Sequence, residues 1–222
     1  TVNIILAFII YAMILMVWGE KKIPASSLKY GITFNDPIFN ELQFKNGDKI
    51  LAVDGKPVLE YGDILRKLLI VDSTVLIERE GKQVLLNMPV DLIGKLVKKK
   101  KKTEGPLISP RVPVIVMDVP DTGFAYKAGL RNGDLILSVD SVNTRFFDEF
   151  EANMANRTKG DTIRLSVNRH DSIVHFSTVL TDKGKIGFNP PRAFETFDSL
   201  GVFKFSIRKY GFFEAIPAGI KR

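Results

Sequence analysis

The stretch NGDKILAVD at residues 46–54 returns 86 positions later as NGDLILSVD at residues 132–140, with seven of the nine residues identical. Each copy begins with a Gly-Asp pair and continues into a short apolar run. Glycine tolerates the positive φ angle of a tight turn, the aspartate carboxylate accepts hydrogen bonds from nearby backbone amides, and Ile, Leu and Val favour a buried strand. Because this period is longer than that of a solenoid repeat, each copy is expected to mark one small domain.

Length and composition agree with two domains and exclude some kinds of site. A chain of 222 residues has room for two domains of about 90 to 100 residues each. It has no cysteine, which excludes disulfides and thiolate metal ligands. Much of its net charge of +7 lies in one lysine run and the C-terminal tail, so we expect no nucleic-acid partner.

The N-terminal run predicts a transmembrane helix. Residues 1–19 carry no charge, and residues 4–18 are continuously apolar or aromatic. At about 1.5 Å per residue this run would span about 28 Å, close to a hydrocarbon core of about 30 Å. Trp18 is then expected at the membrane interface, with Glu20 at the exit to water. A buried helix of a soluble protein is the alternative, but no other stretch offers enough apolar surface to surround it.

Two units with the same order of elements follow the helix. Each is predicted to be a small, partly open β-barrel with one covering helix, so the fold class is α+β. The predicted domains are a transmembrane helix at 1–20, a first unit at 24–105, a second unit at 107–192 and a basic and aromatic segment at 193–222. The first unit is predicted to have strands at 30–34 and 48–53, a helix at 59–69 and a hairpin at 74–79 and 83–88. The second is predicted to have strands at 112–119 and 134–139, a helix at 146–157, a hairpin at 161–169 and 172–180, and a last strand at 185–189.

Two basic segments leave alternatives open. The five lysines of Lys98–Lys102 repel one another, which favours a solvated linker, while docking on anionic lipid headgroups is the alternative. Residues 193–222 interleave aromatic and basic side chains. This pattern fits a segment lying at a membrane surface or an amphipathic helix packed on the second domain.

Patterns typical of catalysis or metal binding are missing from the sequence. His170 and His175 are the only histidines, and their spacing differs from the H-E-x-x-H pair that binds zinc on a helix. We expect both on the surface of a hairpin. Ser109 and Ser138 have no histidine predicted nearby. The chain is therefore expected to contain no catalytic residue and no metal ligand.

A peptide-binding groove is predicted in the second unit. Gly187 gives the last predicted strand a flexible point, flanked by Ile186 and Phe188, where backbone N–H groups can turn toward a ligand carboxylate. Phe150 and Met154 lie on the predicted helix and could form the wall of a groove into which a peptide adds as a further strand. Plain core packing of the same residues is the alternative.

Residues 121–136, DTGFAYKAGLRNGDLI, resemble the bacterial PDZ signature of a small-residue helix, Ala-Gly-Leu and a Gly-Asp turn leading into a strand. In the circularly permuted PDZ domains of bacteria the groove strand comes last, which is where residues 186–188 lie. The first unit departs from this pattern, because residues 42–44 are LQF where residues 128–130 are AGL. Residues 107–109 at its corresponding groove strand contain no glycine, so ligand binding is expected in the second unit.

The order of an apolar helix, two PDZ-like units and the run KYGFFEAIPAG at residues 209–219 resembles the central region of RseP-type site-2 proteases. This resemblance implies that the full-length protein is a zinc intramembrane metalloprotease of the bacterial inner membrane. It also implies that Asn3 belongs to the second membrane helix and that the PDZ region faces the periplasm.

The same resemblance implies a role for this chain that is not catalytic. The family's zinc ligands lie outside this sequence, so zinc is expected only in the full-length protein. The tandem PDZ region would filter or dock a membrane-protein substrate already trimmed by another protease, in contact with the lipid bilayer. The alternative is a membrane-anchored PDZ adaptor without protease activity.

Overall fold

The computed structural model describes residues 2–98, 105–182, 184–211 and 214. The helices are α1 (Val2–Val17), α2 (Ile38–Glu41), α3 (Tyr61–Leu68), α4 (Leu92–Lys98), α5 (Phe124–Ala128), α6 (Phe147–Met154) and α7 (Phe194–Ser199). The strands are β1 (Glu20–Lys22), β2 (Ile32–Phe34), β3 (Lys49–Val53), β4 (Lys56–Pro57), β5 (Thr74–Arg79), β6 (Lys82–Asn87), β7 (Ile108–Pro110), β8 (Leu135–Val139), β9 (Val142–Asn143), β10 (Thr162–Arg169), β11 (Ser172–Val179) and β12 (Ser206–Arg208).

The helix α1 covers most of the N-terminal apolar run. It has 16 residues, and Trp18 directly after it is exposed. Among the described residues, no helix is both long enough and apolar enough to cross a membrane. The transmembrane helix predicted at 1–20 is thus not found in this structure.

The two units contain matching antiparallel sheets. The strand order is β4-β3-β5-β6 in the first unit and β9-β8-β10-β11 in the second, and both hairpins form where the sequence predicts them. The covering helices α3 and α6 also form within the predicted ranges. A separate two-stranded sheet pairs β2 of the first unit with β7. The residues of β7 come after the lysine run in the sequence.

The second unit differs from its prediction at its first and last strands. Residues 112–119 make only isolated bridges, at Pro113, Ile115 and Asp118. The last predicted strand, 185–189, is reduced to a single bridge between Asp118 and Asn189. The prediction of a regular strand at 185–189 is therefore wrong, because Gly187 has a φ of 92°, outside the range of a β-strand.

The aspartate of each Gly-Asp pair is buried in an ion pair of the same design. Asp48 is 1% exposed, and the Arg79 guanidinium donates to each of its two carboxylate oxygens at 2.7 Å. Asp134 is fully buried and pairs with Arg169 in the same way, also at 2.7 Å. Each carboxylate also accepts a backbone hydrogen bond, from Lys45 N at 2.8 Å and from Arg131 N at 2.9 Å. The repeat thus anchors each turn to the far end of the hairpin.

The other polar residues of the repeat also keep their partners. Asn46 Oδ1 accepts a hydrogen bond from Phe34 N at 2.8 Å, and Asn132 Oδ1 accepts one from Val119 N at 3.0 Å. The last aspartate caps the adjacent strand in both copies: Asp54 accepts from Thr74 N and Asp140 from Arg164 N, each at 2.8 Å. The repeated sequence therefore produces repeated hydrogen bonding.

Two hydrophobic cores lie behind the two sheets. The second core consists of residues from the second unit, including Ile136, Phe150, Leu165 and Ile186. The first core also includes side chains from the segment after the second unit, namely Phe197, Val202 and Phe203. The alternative in which this segment packs on the second domain is thus wrong for these residues, because their apolar side chains are buried in the first core. Residues 212–213 and 215–222 of the segment lie outside the described residues.

Arg111 joins the two units. Its backbone N–H donates to Gly31 O at 3.0 Å, while its guanidinium binds Asp148 at 3.0 Å and Glu149 at 2.7 Å. Asn46, from the first copy of the repeat, donates to Asp148 Oδ2 at 2.8 Å. A carboxylate at the start of α6 is therefore shared by both units.

The two ends of the described chain also meet. The strand β1 pairs antiparallel with β12, and the Tyr210 hydroxyl donates to Glu20 Oε2 at 2.7 Å. Tyr210 packs against Ala12 and Leu15, which are buried residues of α1. Burial and the hydrogen bond to Glu20 raise the pKa of Tyr210. Lys98 is the last residue of α4, and the remaining lysines, 99–102, lie outside the described residues.

Replacing Arg169 with Leu is expected to destabilise the chain by about 3–5 kcal/mol, because the fully buried Asp134 carboxylate loses its partner. The matched control is Arg66→Leu, which removes an exposed ion pair with Asp63 and should cost at most about 1 kcal/mol. Urea unfolding of both variants measures the difference. Equal losses for the two variants would contradict this role of the buried pair.

Candidate peptide-binding site

Four of the five residues predicted to form the groove, all except Gly187, belong to the second core or pack against it. Ile186 and Phe150 are buried in it, while Phe188 and Met154 are partly buried against it. The rings of Phe150 and Phe188 lie 6.0 Å apart. These four residues thus lie together at the second core, an arrangement that fits both the predicted groove and the alternative of plain core packing.

Backbone geometry explains why no regular strand forms at this site. Gly187 has a φ of 92°, in the left-handed region that a β-strand does not use. The preceding loop is closed by bonds from Thr181 N to Lys185 O at 2.8 Å and from Gly184 N to Thr181 O at 2.9 Å. A Cβ at Gly184 would lie 2.3 Å from Arg157 O, so this close approach requires glycine. The chain therefore enters the groove as a tight loop.

The loop leaves backbone donors available. Within the described ranges, the N–H groups of Ile186, Gly187 and Phe188 have no hydrogen-bond acceptor, whereas the next residue, Asn189, donates to Asp118 O at 2.8 Å. Consecutive N–H groups in a left-handed turn can converge on one anion. The arrangement is therefore suited to a carboxylate ligand.

A cleft of about 200 Å³ continues from the end of this loop. It lies between the start of α6, the two prolines after the loop, α7 and the end of β7. Its walls are mainly apolar, formed by Ser109, Pro110, Val112, Pro113, Phe147, Pro190, Pro191, Phe194 and Phe197. The sequence did not indicate this cleft, because its walls come from three separate parts of the chain, residues 109–113, residue 147 and residues 190–197.

The corresponding groove of the first unit is closed. The Tyr61 hydroxyl, at the start of α3, donates to Ile108 O of β7 at 3.2 Å. Pro110, two residues further along β7, has no N–H to offer an added strand. The Phe194 ring lies across Tyr61 with centroids 6.4 Å apart. These contacts occupy the helix-to-strand gap that a peptide would need.

The two histidines lie on the hairpin of the second unit, as predicted. His170 is in the turn, with a φ of 48°, and His175 lies on β11. Sequence reasoning missed the partner of His175: Ser166 Oγ on β10 lies 2.8 Å from its Nδ1. The strand register brings these two residues together, which the sequence spacing of the histidines did not indicate. No group of three potential metal ligands occurs in the described part of the chain.

Comparison with known proteins adds evidence on the family. Residues 92–180 match the PDZ domain family. A protein of Borreliella burgdorferi named "Putative zinc metalloprotease" is 28% identical over 197 residues, which cover 85% of this chain and 42% of that protein. A protein of Rickettsia conorii with the same description is 32% identical over 96 residues, covering 41% of this chain and 26% of that protein.

Among solved structures, the PDZ domain of the SdrC-like protein from Listeria monocytogenes is 27% identical to the matched part of this chain. The match covers 38% of this chain and 90% of that domain, with a TM-score of 0.33. The part of the chain that matches the two proteins named as metalloproteases covers less than half of the length of each.

Replacing Tyr61 with Phe is expected to cost about 0.5–1.5 kcal/mol, because the bond to Ile108 O is lost while the ring remains. Burial raises the pKa of Tyr61 above its ordinary value of 10.0. The folded state therefore keeps a proton that the unfolded state loses, and stability falls as the pH rises above 10.

Between pH 9 and pH 11, the free energy of unfolding should fall less in the Tyr61→Phe variant than in the parent. Urea unfolding at both pH values tests this expectation. The same alkaline loss in the variant and the parent would show that Tyr61 does not hold this buried proton.

Proposed function

We propose that this chain, which carries the PDZ region of an RseP-like site-2 protease, binds the C-terminal end of a trimmed membrane-protein substrate in the groove of its second unit. The observation that carries the proposal is the row of three backbone N–H groups at residues 186–188 that have no acceptor among the described residues. A peptide carboxylate would accept charge-assisted hydrogen bonds from them. These donors are main-chain groups, so they recognise a chain end in any sequence.

Upstream residues of the peptide would lie along α6. The cleft bounded by Phe147 and Pro190 is mainly apolar; residues 186–188 do not line it, but Pro190 follows them in the chain after Asn189. It would hold an apolar side chain of the peptide, which adds selectivity to the carboxylate contact. The closed gap between α3 and β7 leaves this role to the second unit.

The whole protein is proposed to be a zinc intramembrane metalloprotease of the bacterial inner membrane, with this region in the periplasm. The described residues offer no set of three ligands for zinc, so the metal would be held by a part of the protein outside this chain. When bound there, zinc would activate water for attack on the peptide carbonyl. The residues of this chain would select and hold the substrate.

Contact with the bilayer is proposed for α1. Large apolar side chains are exposed along it, including Leu6, Ile9, Met13 and Val17, with Trp18 at its end. An exposed apolar helix of this kind needs lipid or further helices to cover it. Since β1 follows α1 directly and pairs with β12, the PDZ region would be held close to the membrane surface.

The binding proposal predicts a difference between free and amidated chain ends. A short peptide with an apolar C-terminal residue should bind the chain at least about tenfold more tightly than the same peptide with a C-terminal amide, because one charge-assisted contact is worth about 1.5–3 kcal/mol. Fluorescence anisotropy with a labelled peptide measures both affinities. Equal affinity for the two peptides would overturn the carboxylate site.

The cleft is tested by Phe147→Ala, which removes one wall and should weaken peptide binding about tenfold. The matched control is Tyr61→Phe, since Tyr61 is the first residue of the equivalent helix in the first unit. This control should bind like the parent. A weaker affinity in the control and an unchanged affinity in Phe147→Ala would place the groove in the first unit instead.

The filtering role is tested in the full-length protein by deleting residues 24–192. The deletion should remove the preference for a trimmed substrate over an untrimmed one, as measured by the ratio of their cleavage rates in membranes. If the truncated enzyme keeps the preference of the parent, the PDZ region is not the filter.

A further inference from the structure

A second cavity, of about 480 Å³, lies on the outer face of the sheet in the second unit. The core side of β10 is formed by Ile163, Leu165 and Val167, which are all buried. The alternate residues Arg164 and Ser166 point to the other face, since successive side chains of a strand alternate. The cavity is lined on this face by Ser141, Arg164, Ser166, His175 and Ser177, and also by Leu165 and Phe176, whose side chains belong to the second core or pack against it. It is thus separate from the groove and rich in hydrogen-bond donors.

Arg164 supplies an uncompensated positive charge. Its guanidinium has no carboxylate partner among the residues that the structure describes. The carboxylate of Asp140, which accepts from Arg164 N at 2.8 Å, is already engaged, because its other oxygen binds Arg157 at 2.7 Å. Because Arg157 neutralises Asp140, the charge of Arg164 remains available to a ligand.

His175 adds a second donor with a defined orientation. Its Nδ1 lies 2.8 Å from Ser166 Oγ, and its Nε2 has no partner within the described ranges. When the Ser166 hydroxyl donates to Nδ1, the neutral ring carries its proton on Nε2. That N–H can then donate to an anion in the cavity.

Ser141 is held in a strained conformation at the rim. Its φ of 68° lies in the left-handed region, where a residue other than glycine costs about 1–2 kcal/mol. The first unit has Gly55 at the equivalent position, with a φ of 71°. Strain that a glycine would relieve is expected where the side chain has a function. The hydroxyl of Ser141 provides such a function if it contacts a ligand.

The first unit provides an internal comparison, because the strand registers define equivalent positions. The row of paired residues Ser138, Ser166 and His175 in the second unit corresponds to Ala52, Leu76 and Leu85 in the first. Arg164 and Ser177 correspond to Thr74 and Asn87. The same scaffold therefore carries apolar and neutral residues in one copy and a cation, an imidazole and hydroxyls in the other. The structural core does not require this difference, since these residues lie on the outer face.

We propose that this cavity is a binding site for the phosphate group of a phosphate ester. Several oxygens of a tetrahedral phosphate can accept hydrogen bonds at once from the Arg164 guanidinium, His175 Nε2 and the hydroxyls of Ser141 and Ser177. The cavity is larger than a phosphate ion, so it leaves room for the group to which the phosphate is attached. Two sources share this chemistry, a soluble phosphate ester and the headgroup of an anionic phospholipid.

The site can be tested with the two histidines as reporters. Inorganic phosphate and glycerol phosphate are titrated into the chain while the imidazole resonances are followed by NMR. The His175 signals should shift and saturate, whereas those of His170, in the hairpin turn, should stay in place. Arg164→Gln should weaken binding at least tenfold. Lys127→Gln removes an exposed charge elsewhere on the second unit and should bind like the parent.

A second variant separates binding from folding. Ser141→Gly should raise the free energy of unfolding, because the left-handed conformation is no longer strained, and should still weaken phosphate binding. Weaker binding by a more stable protein cannot result from misfolding. Unchanged binding in both Arg164→Gln and Ser141→Gly would overturn the proposal, as would equal, unsaturable shifts of both histidines.

Vesicles identify the source of the phosphate. Flotation with phosphatidylglycerol vesicles is compared with flotation with phosphatidylcholine vesicles, for the parent and for Arg164→Gln. Binding to phosphatidylglycerol that depends on Arg164, with no saturable response to glycerol phosphate, assigns the site to a lipid headgroup. A saturable response to the free esters, without Arg164-dependent flotation, assigns it to a soluble ester. If neither probe binds in a way that depends on Arg164, the proposal is wrong.

Discussion

The structure depends on a buried carboxylate paired with an arginine, and it contains this pair twice. Asp48 and Asp134 are almost completely removed from water, where an unpaired negative charge would be very costly. Arg79 and Arg169 compensate them through two-point contacts, and each guanidinium also reaches a carbonyl of the preceding turn. The pair therefore links the Gly-Asp turn, the strand that follows it and the end of the hairpin. With these three parts fixed, the sheet and the helix above it have little freedom to rearrange.

The two units use this shared frame for different purposes. In the first, the gap between α3 and β7 is closed by Tyr61 and covered by Phe194. In the second, Gly187 turns the chain so that three backbone N–H groups remain without partners among the described residues. The outer faces of the sheets differ as well, with leucines in one copy where the other has Ser166 and His175. Because the frame does not depend on these positions, they are free to take on function.

The segment after the second unit, from residue 193, contacts both the first core and the strand next to α1. It places Phe197, Val202 and Phe203 in the first core and then pairs β12 with β1, next to α1. A ligand bound between α6 and residues 190–197 would therefore contact a segment that is also anchored in the first core and connected to the proposed membrane side.

The sequence by itself determined the duplication, the hairpins and the covering helices, whereas the peptide-binding role of residues 186–188 stays a prediction. These features depend on local patterns: the repeated Gly-Asp turn, strand alternation and the apolar stripe of each helix. The tertiary structure decided the partners that lie far apart in the chain. Arg79 and Arg169 follow their aspartates by 31 and 35 residues, β7 pairs with β2 across the lysine run, and Phe203 lies in the first core.

No local pattern identifies such partners, because a buried charge or aromatic ring is stabilised by whichever residue the folded chain brings close to it. The same reason explains the error at residues 185–189. Their composition favours a strand, but Ile186 is drawn into the core and Gly187 takes up the resulting turn. This departure from regular structure leaves the N–H groups of residues 186–188 without an acceptor among the residues that the structure describes.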